Sequence, residues 1–488
     1  MAELLKRIDA FVWGPAMLAI MLGTGLYLLV RMRFLPLRNL GYALRCVCGI
    51  EAEENRKERR RAQGKENGVP PLSSLTTELA ATIGTGNIVG VATAMVLGGP
   101  GALIWMMAAA FAGLSTKFAE SMLSVKYRVL SADGSFLGGP MYTLSRAFPS
   151  RRIGLLLGKS FAVFAVMASF GMGNMTQANA ISSSFRETFG IGEAETGLIL
   201  TMLVILTVMG GIREISRLTL YIVPCMAAFY MIGALWVILT HLHQLPQGIA
   251  EMLHMAFSKE AAAGGIGGTI VVSMQEAMRW GVSRGVFSNE AGLGAGGITA
   301  AAADTDSPVR QGYISMTGVF FDTIVICTMT GLVISVSGVL GMRDENGMLL
   351  TGSALTIAAF STALGKLGGC FVSIGISLFA FATIIAWEYQ GECAFRFLVQ
   401  NRRRCIWYRF FYAIVTFAGA VCALETVWEF SDIMNALMAL PNLISVLILS
   451  GTVCREMRAA QTAIVKNRGR DGIREGKLYR KCKKMRKR

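Results

Sequence analysis

Apolar runs long enough to cross a bilayer recur along nearly the whole chain, separated by short polar or basic segments. A helix of about twenty apolar residues spans the hydrocarbon core of a membrane. The pattern predicts eleven spans, at about 10–31, 72–98, 102–127, 156–188, 195–211, 217–240, 264–303, 310–340, 367–398, 405–424 and 428–454. It also predicts a mildly amphipathic outer segment at 241–263 and a short helix near 354–364. The expected fold class is therefore an all-α polytopic membrane protein.

Composition supports this assignment. The chain of 488 residues is 53% hydrophobic and only 16% charged, with a mean hydropathy of +0.52. A soluble chain carries about 25% charged residues. The first apolar run resembles a signal peptide, but it is about twenty residues long and lacks a small-x-small cleavage site. We interpret it as a retained transmembrane helix.

The net charge of +16 follows the predicted topology. Basic residues concentrate in alternate loops, at 56–65, 146–159 and 402–404, and in the tail 455–488. The intervening loops carry few charges, which is the positive-inside bias of a multispanning protein. We therefore expect the N-terminus outside, a cytoplasmic C-terminus, the lipid bilayer as the main surrounding, and no nucleic-acid partner. No obligate protein partner is expected either.

The sequence offers little for catalysis or cofactor binding. Its ten cysteines show no metal-ligand or disulfide spacing, and only three histidines are present. No nucleophile and base pair converges at bilayer depth, so an integral-membrane enzyme is a remote alternative. A passive channel is disfavoured because channels usually build their pores from symmetric oligomers. We expect no enzyme activity and no cofactor.

One stretch, 76–120, departs from an ordinary span because Ile83-Gly84-Thr85-Gly86-Asn87 lies at its middle. Glycine destabilises a helix by about 1 kcal/mol relative to alanine. Polar groups at membrane depth are tolerated where they face protein or a cavity. Two interpretations are open: a helix interrupted at a solute site, or a close helix crossing through the Gly86–Gly90 pair.

A second unusual stretch covers 264–303, where glycine and charge are concentrated. This composition predicts a second discontinuous span. Glu290 within it is either a gate or the partner of Arg284 in a structural ion pair, and the second interpretation is favoured.

Other polar residues in the spans suggest contacts. Asn174 and Gln177 are three apart and share a helix face, either for interhelical hydrogen bonding or for ligand contact. Lys117 and Glu120 have the spacing of an ion pair. Phe379 and Thr383 are one turn apart, so a carbonyl and a hydroxyl can face one ion. Further carboxylates, at Glu78 and Glu388, are interpreted as solvated or paired rather than as a protonatable step.

The spans also suggest an internal repeat. With the first span set aside, ten remain, and the two interrupted spans are the first of each group of five. Five helices invert the orientation of the next copy, which is an inverted-repeat arrangement. We expect an N-terminal helix and basic loop at 1–71, a core at 72–455 and a basic cytoplasmic tail at 456–488. The two repeats of the core would cover about 72–242 and 264–455.

Several motifs resemble those of the alanine or glycine:cation symporter family, the sodium:alanine symporters. They are GTGNIVGVATAMVLGGPGALIWM (84–106), GGPMY (138–142), GNMTQANAI (173–181), RGVFSNEAGLG (284–294), SPVRQGYISMTGVFFDTIVICTMTGLVI (307–334) and SDIMNALMALPNL (431–443). The resemblance implies a leucine-transporter-like five-plus-five inverted repeat with one extra N-terminal helix. It also implies uptake of a small neutral amino acid, alanine or glycine, coupled to Na⁺ or, in some members, to H⁺.

The family's residue roles transfer where positions match. The implied substrate-binding residues are Thr82, Thr85, Gly86, Asn87, Asn174, Gln177, Phe287, Ser288 and Trp387. The implied Na⁺ site comprises Ala80, Ile83, Phe379 and Thr383. Phe287 and Ser288 are expected at the break of the second discontinuous span.

The chain departs from the family pattern at four places. They are Thr143 after GGPMY, the entry PPLSSLTTEL that contains Glu78, the histidine-free segment 295–307, and EYQGE after Trp387. These departures affect substrate size and gating, and a proton-coupled or glutamine-selective member is the alternative.

Overall fold

The computed structural model describes residues 2–49, 68–131, 134–265, 268–422 and 424–461. Most of the predicted basic loop before residue 68 and the tail from 462 onward lie outside these residues. The described chain is almost entirely helical, with two short β-hairpins. Helices are numbered α1 to α21 and strands β1 to β4 in chain order.

The N-terminal segment contains a break that the sequence analysis did not predict. Its helices are α1 (Ala2–Val12), α2 (Pro15–Arg31), α3 (Leu35–Arg38) and α4 (Leu40–Val47). The continuous span predicted at 10–31 is therefore wrong at its start. Pro15 occupies the first turn of α2, a position where proline is favoured because no N–H is needed there.

The predicted interruption in the next span is present. α5 (Pro71–Thr82) ends before Gly84, a single 3₁₀ turn covers Thr85–Asn87, and α6 (Val89–Leu97) follows. Gly84 has extended backbone angles, with φ −130° and ψ −151°. A Cβ atom added to Gly90 would have no heavy atom of another described element within 4 Å, so this glycine does not mark a close helix crossing among the described residues. The structure favours the interrupted-helix interpretation.

The chain then runs through α7, a hairpin and a long helix containing a π-turn. The elements are α7 (Gly101–Lys126), β1 (Val129–Leu130), β2 (Phe136–Leu137), α8 (Pro140–Ala147), α9 (Arg151–Phe170), the π-turn Gly171–Met175 and α10 (Thr176–Phe189). α9, the π-turn and α10 together form one apolar run of spanning length. π-turns are rare and occur frequently at functional sites.

The second discontinuous region differs from its predicted bounds. After α11 (Glu193–Val208), α12 (Gly211–Thr240) and α13 (Leu245–Phe257) comes an antiparallel hairpin of β3 (Glu260–Gly265) and β4 (Gly268–Ser273). The prediction that a helix starts near 264 is therefore wrong. α14 (Met274–Asn289) and α15 (Ala295–Ala301) form the two helical parts.

The break itself lies at 290–294. Glu290, Gly292 and Gly294 all have positive φ, at 55°, 95° and 86°. Positive φ suits glycine but is unusual for glutamate. Phe287 and Ser288 therefore lie in the last turn of α14, not at the break as predicted.

The remaining elements include a second π-helical segment. They are α16 (Pro308–Val319), the π segment Phe320–Cys327, α17 (Thr328–Val336), α18 (Gly352–Leu364), α19 (Leu367–Val399), the 3₁₀ turn Arg402–Arg404, α20 (Cys405–Val421) and α21 (Leu424–Ile448). α19 packs against α5, and α14 packs against α6 and α7.

Among the described residues, six helical runs are long and apolar enough to cross a membrane. They are Gly101–Lys126, Arg151–Phe189, Gly211–Thr240, Pro308–Val336, Leu367–Val399 and Trp428–Ile448. Large apolar side chains such as Leu198, Met202 and Leu206 are exposed on the outside of the bundle, whereas Asn87, Lys117 and many other polar groups are buried inside it. Apolar side chains on the outside and polar groups on the inside, the opposite of a soluble protein, identify a multi-pass membrane protein.

Candidate functional site

The first helix break lies against the end of α14, just before the second break. A Cβ atom on Gly86 would lie 3.3 Å from both Phe287 Cδ1 and Ser288 Cα. The absence of a side chain at Gly86 therefore allows the first break to contact the end of α14 closely. Phe287 in turn stacks on Trp428, with ring centroids 5.3 Å apart.

A buried hydrogen-bond network joins these two regions through Asp322, a residue of the second π segment. Asn87 Nδ2 donates to Asp322 Oδ1 at 2.7 Å, and Ser288 Oγ donates to Asp322 Oδ2 at 2.9 Å. Thr323 Oγ1 also donates to Oδ2, at 2.7 Å. Sequence reasoning assigned no role to Asp322. The available signal was its position as the only carboxylate in the apolar run 311–336.

The backbone of the first break is held by side-chain amides. The Gly84 N–H donates to Asn87 Oδ1 at 2.9 Å, and the Thr85 N–H donates to Gln177 Oε1 at 3.2 Å. Gln177 Nε2 donates to Met172 O at 3.0 Å, within the first π-turn. Of the predicted substrate-binding residues, Thr85, Gly86, Asn87, Gln177, Phe287 and Ser288 therefore surround one region.

Two other predicted substrate residues make structural contacts. Asn174 Nδ2 donates to the Tyr412 carbonyl at 2.7 Å, which is the interhelical bond that the sequence left as an alternative. Thr82 Oγ1 lies 3.3 Å from the Leu79 carbonyl of its own helix. Neither contact brings these side chains to the Asn87–Asp322 network.

Three of the four predicted sodium residues, Ala80, Phe379 and Thr383, meet between α5 and α19. Thr383 Oγ1 lies 3.0 Å from the Ala80 carbonyl oxygen and 3.0 Å from the Phe379 carbonyl oxygen. A Cβ atom on Gly84 would lie 2.5 Å from Thr383 Oγ1, so the backbone just after Ile83 also approaches this hydroxyl. Hard cations such as Ca²⁺ are bound by oxygen donors of this kind. The donor set present therefore fits Na⁺.

Trp387 lies one turn beyond Thr383 and faces the second break. Its indole Nε1 donates to Glu290 Oε1 at 2.8 Å. The predicted ion pair between Glu290 and Arg284 is wrong, because Arg284 Nη2 instead lies 3.1 Å from Asp432 Oδ2 on α21. Glu290 consequently belongs to a polar group inside the bundle.

The carboxylates that the sequence singled out are paired. Lys117 Nζ lies 3.8 Å from Glu120 Oε1, as predicted, and 3.3 Å from Glu78 Oε1. Glu388 Oε1 lies 3.8 Å from Arg409 Nε.

Arg409 makes a closer pair at the edge of a cavity. Its Nε donates to Glu392 Oε2 at 2.5 Å, and its Nη2 donates to Oε1 at 3.0 Å. The two residues line a cavity of about 380 Å³ that also contacts Val69, just before α5, and Tyr389 of α19. The cavity therefore adjoins the two helices that contribute the candidate sodium oxygens.

Comparison with known sequences gives the family. The profile of the sodium:alanine symporter family matches residues 1–471. The chain belongs to the sodium:alanine symporter family. The resemblance found in the motifs is thereby confirmed, and the protein is a membrane transporter of this family, not an enzyme.

Relatives within the family match nearly end to end. The chain is 42% identical over 460 residues to the sodium/alanine symporter AgcS of Methanococcus maripaludis, covering 94% of this chain and 96% of AgcS. It is 34% identical over 460 residues to the probable sodium/glutamine symporter GlnT of Bacillus subtilis, covering 93% of this chain and 90% of GlnT.

The fold also resembles a solved structure. MhsT in complex with L-phenylalanine superposes with a TM-score of 0.57 at 13% identity, over 79% of this chain and 89% of MhsT. This likeness concerns the helical architecture alone.

Proposed function

We propose that the protein couples the entry of Na⁺ to the uptake of a small neutral amino acid, alanine or glycine. The observation that carries this proposal is the convergence of the Thr383 hydroxyl with the Ala80 and Phe379 carbonyl oxygens beside the break of the first core helix. AgcS, a sodium/alanine symporter by name, supports both the ion and the substrate class.

The chemistry of the break suits an amino-acid zwitterion. The 3₁₀ turn at Thr85–Asn87 precedes the N-terminus of α6. The amino end of a helix presents free N–H groups and a positive dipole end to an anion. We assign the substrate carboxylate to the backbone around Thr85 and Gly86, where it would replace Gln177 as the acceptor of the Thr85 N–H. Ser288 would accept from the ammonium group, and Phe287 and Trp387 would bound the side chain.

Coupling would arise because ion and substrate order the same segment. The sodium oxygens lie on the α5 side of the break and the proposed carboxylate donors lie on the α6 side. Either ligand then reduces the cost of ordering the segment for the other, and such coupling is reciprocal. The inward Na⁺ gradient would drive accumulation through alternating access.

We further propose the complete topology of the transporter. Ten core helices would form inverted repeats at about 72–242 and 264–455, preceded by one extra N-terminal helix, for eleven spans in total. The protein would reside in the cell membrane with its N-terminus outside and its C-terminus in the cytoplasm. This arrangement rests on the two interrupted helices and on the alternating distribution of basic loops.

Glutamine is the second candidate substrate, because the chain is 34% identical to the probable sodium/glutamine symporter GlnT. Coupling to H⁺ in place of Na⁺ is the second candidate ion.

The test is uptake of labelled alanine, glycine and glutamine by proteoliposomes containing the full chain, with an inward Na⁺ gradient or with choline. We expect accumulation of alanine or glycine only with Na⁺. Accumulation of glutamine alone would replace the substrate, and uptake driven solely by a pH gradient would replace the ion. Absence of uptake under every gradient would refute the proposal.

A further inference from the structure

Four buried charged residues lie between the two helix breaks, and we call them the lysine cluster: Glu78, Lys117, Glu120 and Glu290. Each side chain is between 0% and 2% exposed. Glu78 belongs to α5, Lys117 and Glu120 belong to α7, and Glu290 begins the second break. The proposed function leaves the cluster without a role.

The three carboxylates differ in the donors that surround them. Glu78 Oε1 lies 3.3 Å from the Lys117 ammonium, and among the described residues neither Glu78 oxygen accepts a hydrogen bond. Glu120 Oε2 accepts from the Gly292 N–H at 3.2 Å and from Asn442 Nδ2 at 2.8 Å. Glu290 receives a single donor, the Trp387 indole at 2.8 Å on Oε1, and among the described residues its Oε2 has no hydrogen-bond partner.

Charge balance indicates a missing positive charge. Three ionised carboxylates and one ammonium would leave two uncompensated negative charges in a fully buried site, which is strongly unfavourable. A metal ion is an unsuitable counter-charge, because the Lys117 ammonium already lies among the carboxylates. One proton reduces this excess to a single negative charge, which the Gly292 and Asn442 donors to Glu120 help to stabilise. Among the described residues Glu290 is the carboxylate of the cluster with no cation within 4 Å, so it is the one that most favours a bound proton.

We propose that Glu290 carries a transported proton, which is released to water when Na⁺ binds near Thr383, making the protein a sodium and amino-acid symporter with proton countertransport. This inference rests on the proposed sodium coupling. In the protonated state Glu290 is a carboxylic acid. When the proton is released, its O–H bond breaks, water accepts the proton, and Glu290 becomes a carboxylate.

The sign of the coupling follows from electrostatics. Thr383 of the candidate sodium site and Trp387, the Glu290 donor, are one turn apart and share a face of α19. Glu78 is two residues before Ala80 on α5. Among the described residues, Lys117, Glu78 and Asp322 interact electrostatically with Glu290. An added Na⁺ favours the ionised carboxylate, because opposite charges attract.

The first experiment measures proton release from the purified full chain in weakly buffered detergent solution containing a pH indicator dye. Addition of NaCl should release about one proton per Na⁺ bound, whereas choline chloride should release none. Since one proton is released for each Na⁺ bound, the apparent Na⁺ affinity should strengthen as pH rises, by about tenfold per pH unit in the range where Na⁺ binding releases the Glu290 proton.

Variants locate the proton. Glu290→Gln should abolish release and flatten the pH dependence of Na⁺ affinity. Glu290→Asp keeps a titratable carboxyl group and should retain proton release at a shifted pH. This variant tests the assignment even if Glu290→Gln fails to fold. Glu388→Gln is the matched control, because Glu388 is an equally buried glutamate of α19 that faces Arg409 instead of the lysine cluster.

The outcomes separate the two proposals. Sodium binding without proton release overturns the countertransport inference and leaves sodium coupling intact. Release that survives in Glu290→Gln, or disappears only in Glu388→Gln, overturns the assignment to Glu290. Absence of sodium binding overturns both proposals together.

Discussion

Asn87 uses both ends of its amide to hold the site together. Its Oδ1 accepts from the Gly84 N–H, and its Nδ2 donates to Asp322, which also accepts from Ser288. One side chain thus fixes the break of the first core helix and ties it to the end of α14. The planar amide supplies a donor and an acceptor at equal distance from the backbone without needing a bound proton.

Replacement of Asn87 by alanine should therefore abolish transport. The change leaves the Gly84 N–H and Asp322 Oδ1 without these partners, and a buried unpaired polar group costs about 1–3 kcal/mol. We expect alanine uptake in proteoliposomes to fall by more than about tenfold, since 1.4 kcal/mol corresponds to a factor of ten.

Thr93→Ala is the matched control for this variant. Thr93 lies in α6, and its hydroxyl donates only to the Val89 carbonyl of the same helix at 2.8 Å. It should transport normally. Normal uptake by Asn87→Ala at an equal level of membrane protein would contradict the assigned role.

Residue types at the site were only partly predictable. The amides at Asn87 and Gln177 are conspicuous in apolar spans, and the structure places both at the break. Asn174 is equally conspicuous but bonds to the Tyr412 carbonyl, because a pattern of polar residues does not specify a partner on another helix. Asp322 was missed because its donors come from positions 87 and 288, far apart in sequence.

Among the elements, the interrupted helix of α5 and α6 is sterically constrained at its break. A Cβ atom on Gly84 would lie 2.5 Å from Thr383 Oγ1 and 3.3 Å from Gln177 Oε1. The φ of Gly84 is negative, so the left-handed conformation that favours glycine is not involved and the constraint considered is space. The break needs glycine here because the sodium oxygens and the Gln177 amide both approach it.

Gly84→Ala should therefore impair sodium coupling. The added methyl group would displace the Thr383 hydroxyl or the Gln177 amide, and we expect at least a tenfold rise in the Na⁺ concentration that gives half-maximal uptake. The measurement is alanine uptake as a function of Na⁺.

Gly90→Ala provides the comparison within the same interrupted helix. In the described part of the chain, a Cβ atom there meets no atom of another element within 4 Å, and alanine favours helix by about 1 kcal/mol over glycine. Its sodium dependence should match that of the unmodified protein. Equal sodium dependence in both variants would argue against close approach at Gly84.

The elements themselves were predicted with uneven success, for physical reasons. Long apolar runs and clustered glycines indicate spans and interruptions. The hairpin of β3 and β4 was mistaken for helix, because a glycine-rich segment next to an apolar run is typical of either structure. The break at 290–294 was placed three residues early, since glutamate rarely adopts the positive φ found at Glu290.

For the whole molecule, the candidate sodium site joins parts that are distant in sequence. Ala80 lies in α5 and Thr383 lies in α19, about three hundred residues later. A ligand that binds only the folded state stabilises it by RT ln(1 + [L]/Kd), about 2.7 kcal/mol at one hundred times Kd. Sodium should consequently raise the temperature of unfolding, independently of any transport assay.

Thr383→Val tests this link while preserving side-chain shape. Valine removes the one hydroxyl that lies 3.0 Å from both carbonyl oxygens, and a hydrogen-bonding partner of a charged group contributes about 1.5–3 kcal/mol. In detergent, the unmodified protein should unfold at a higher temperature as NaCl replaces choline chloride, and the variant should need at least tenfold more Na⁺ for the same shift. Thr416→Val, at another buried threonine whose hydroxyl donates to the Tyr412 carbonyl of its own helix at 3.2 Å, should keep the full response. A Thr383→Val protein with unchanged sodium stabilisation would show that Na⁺ binds elsewhere in the bundle.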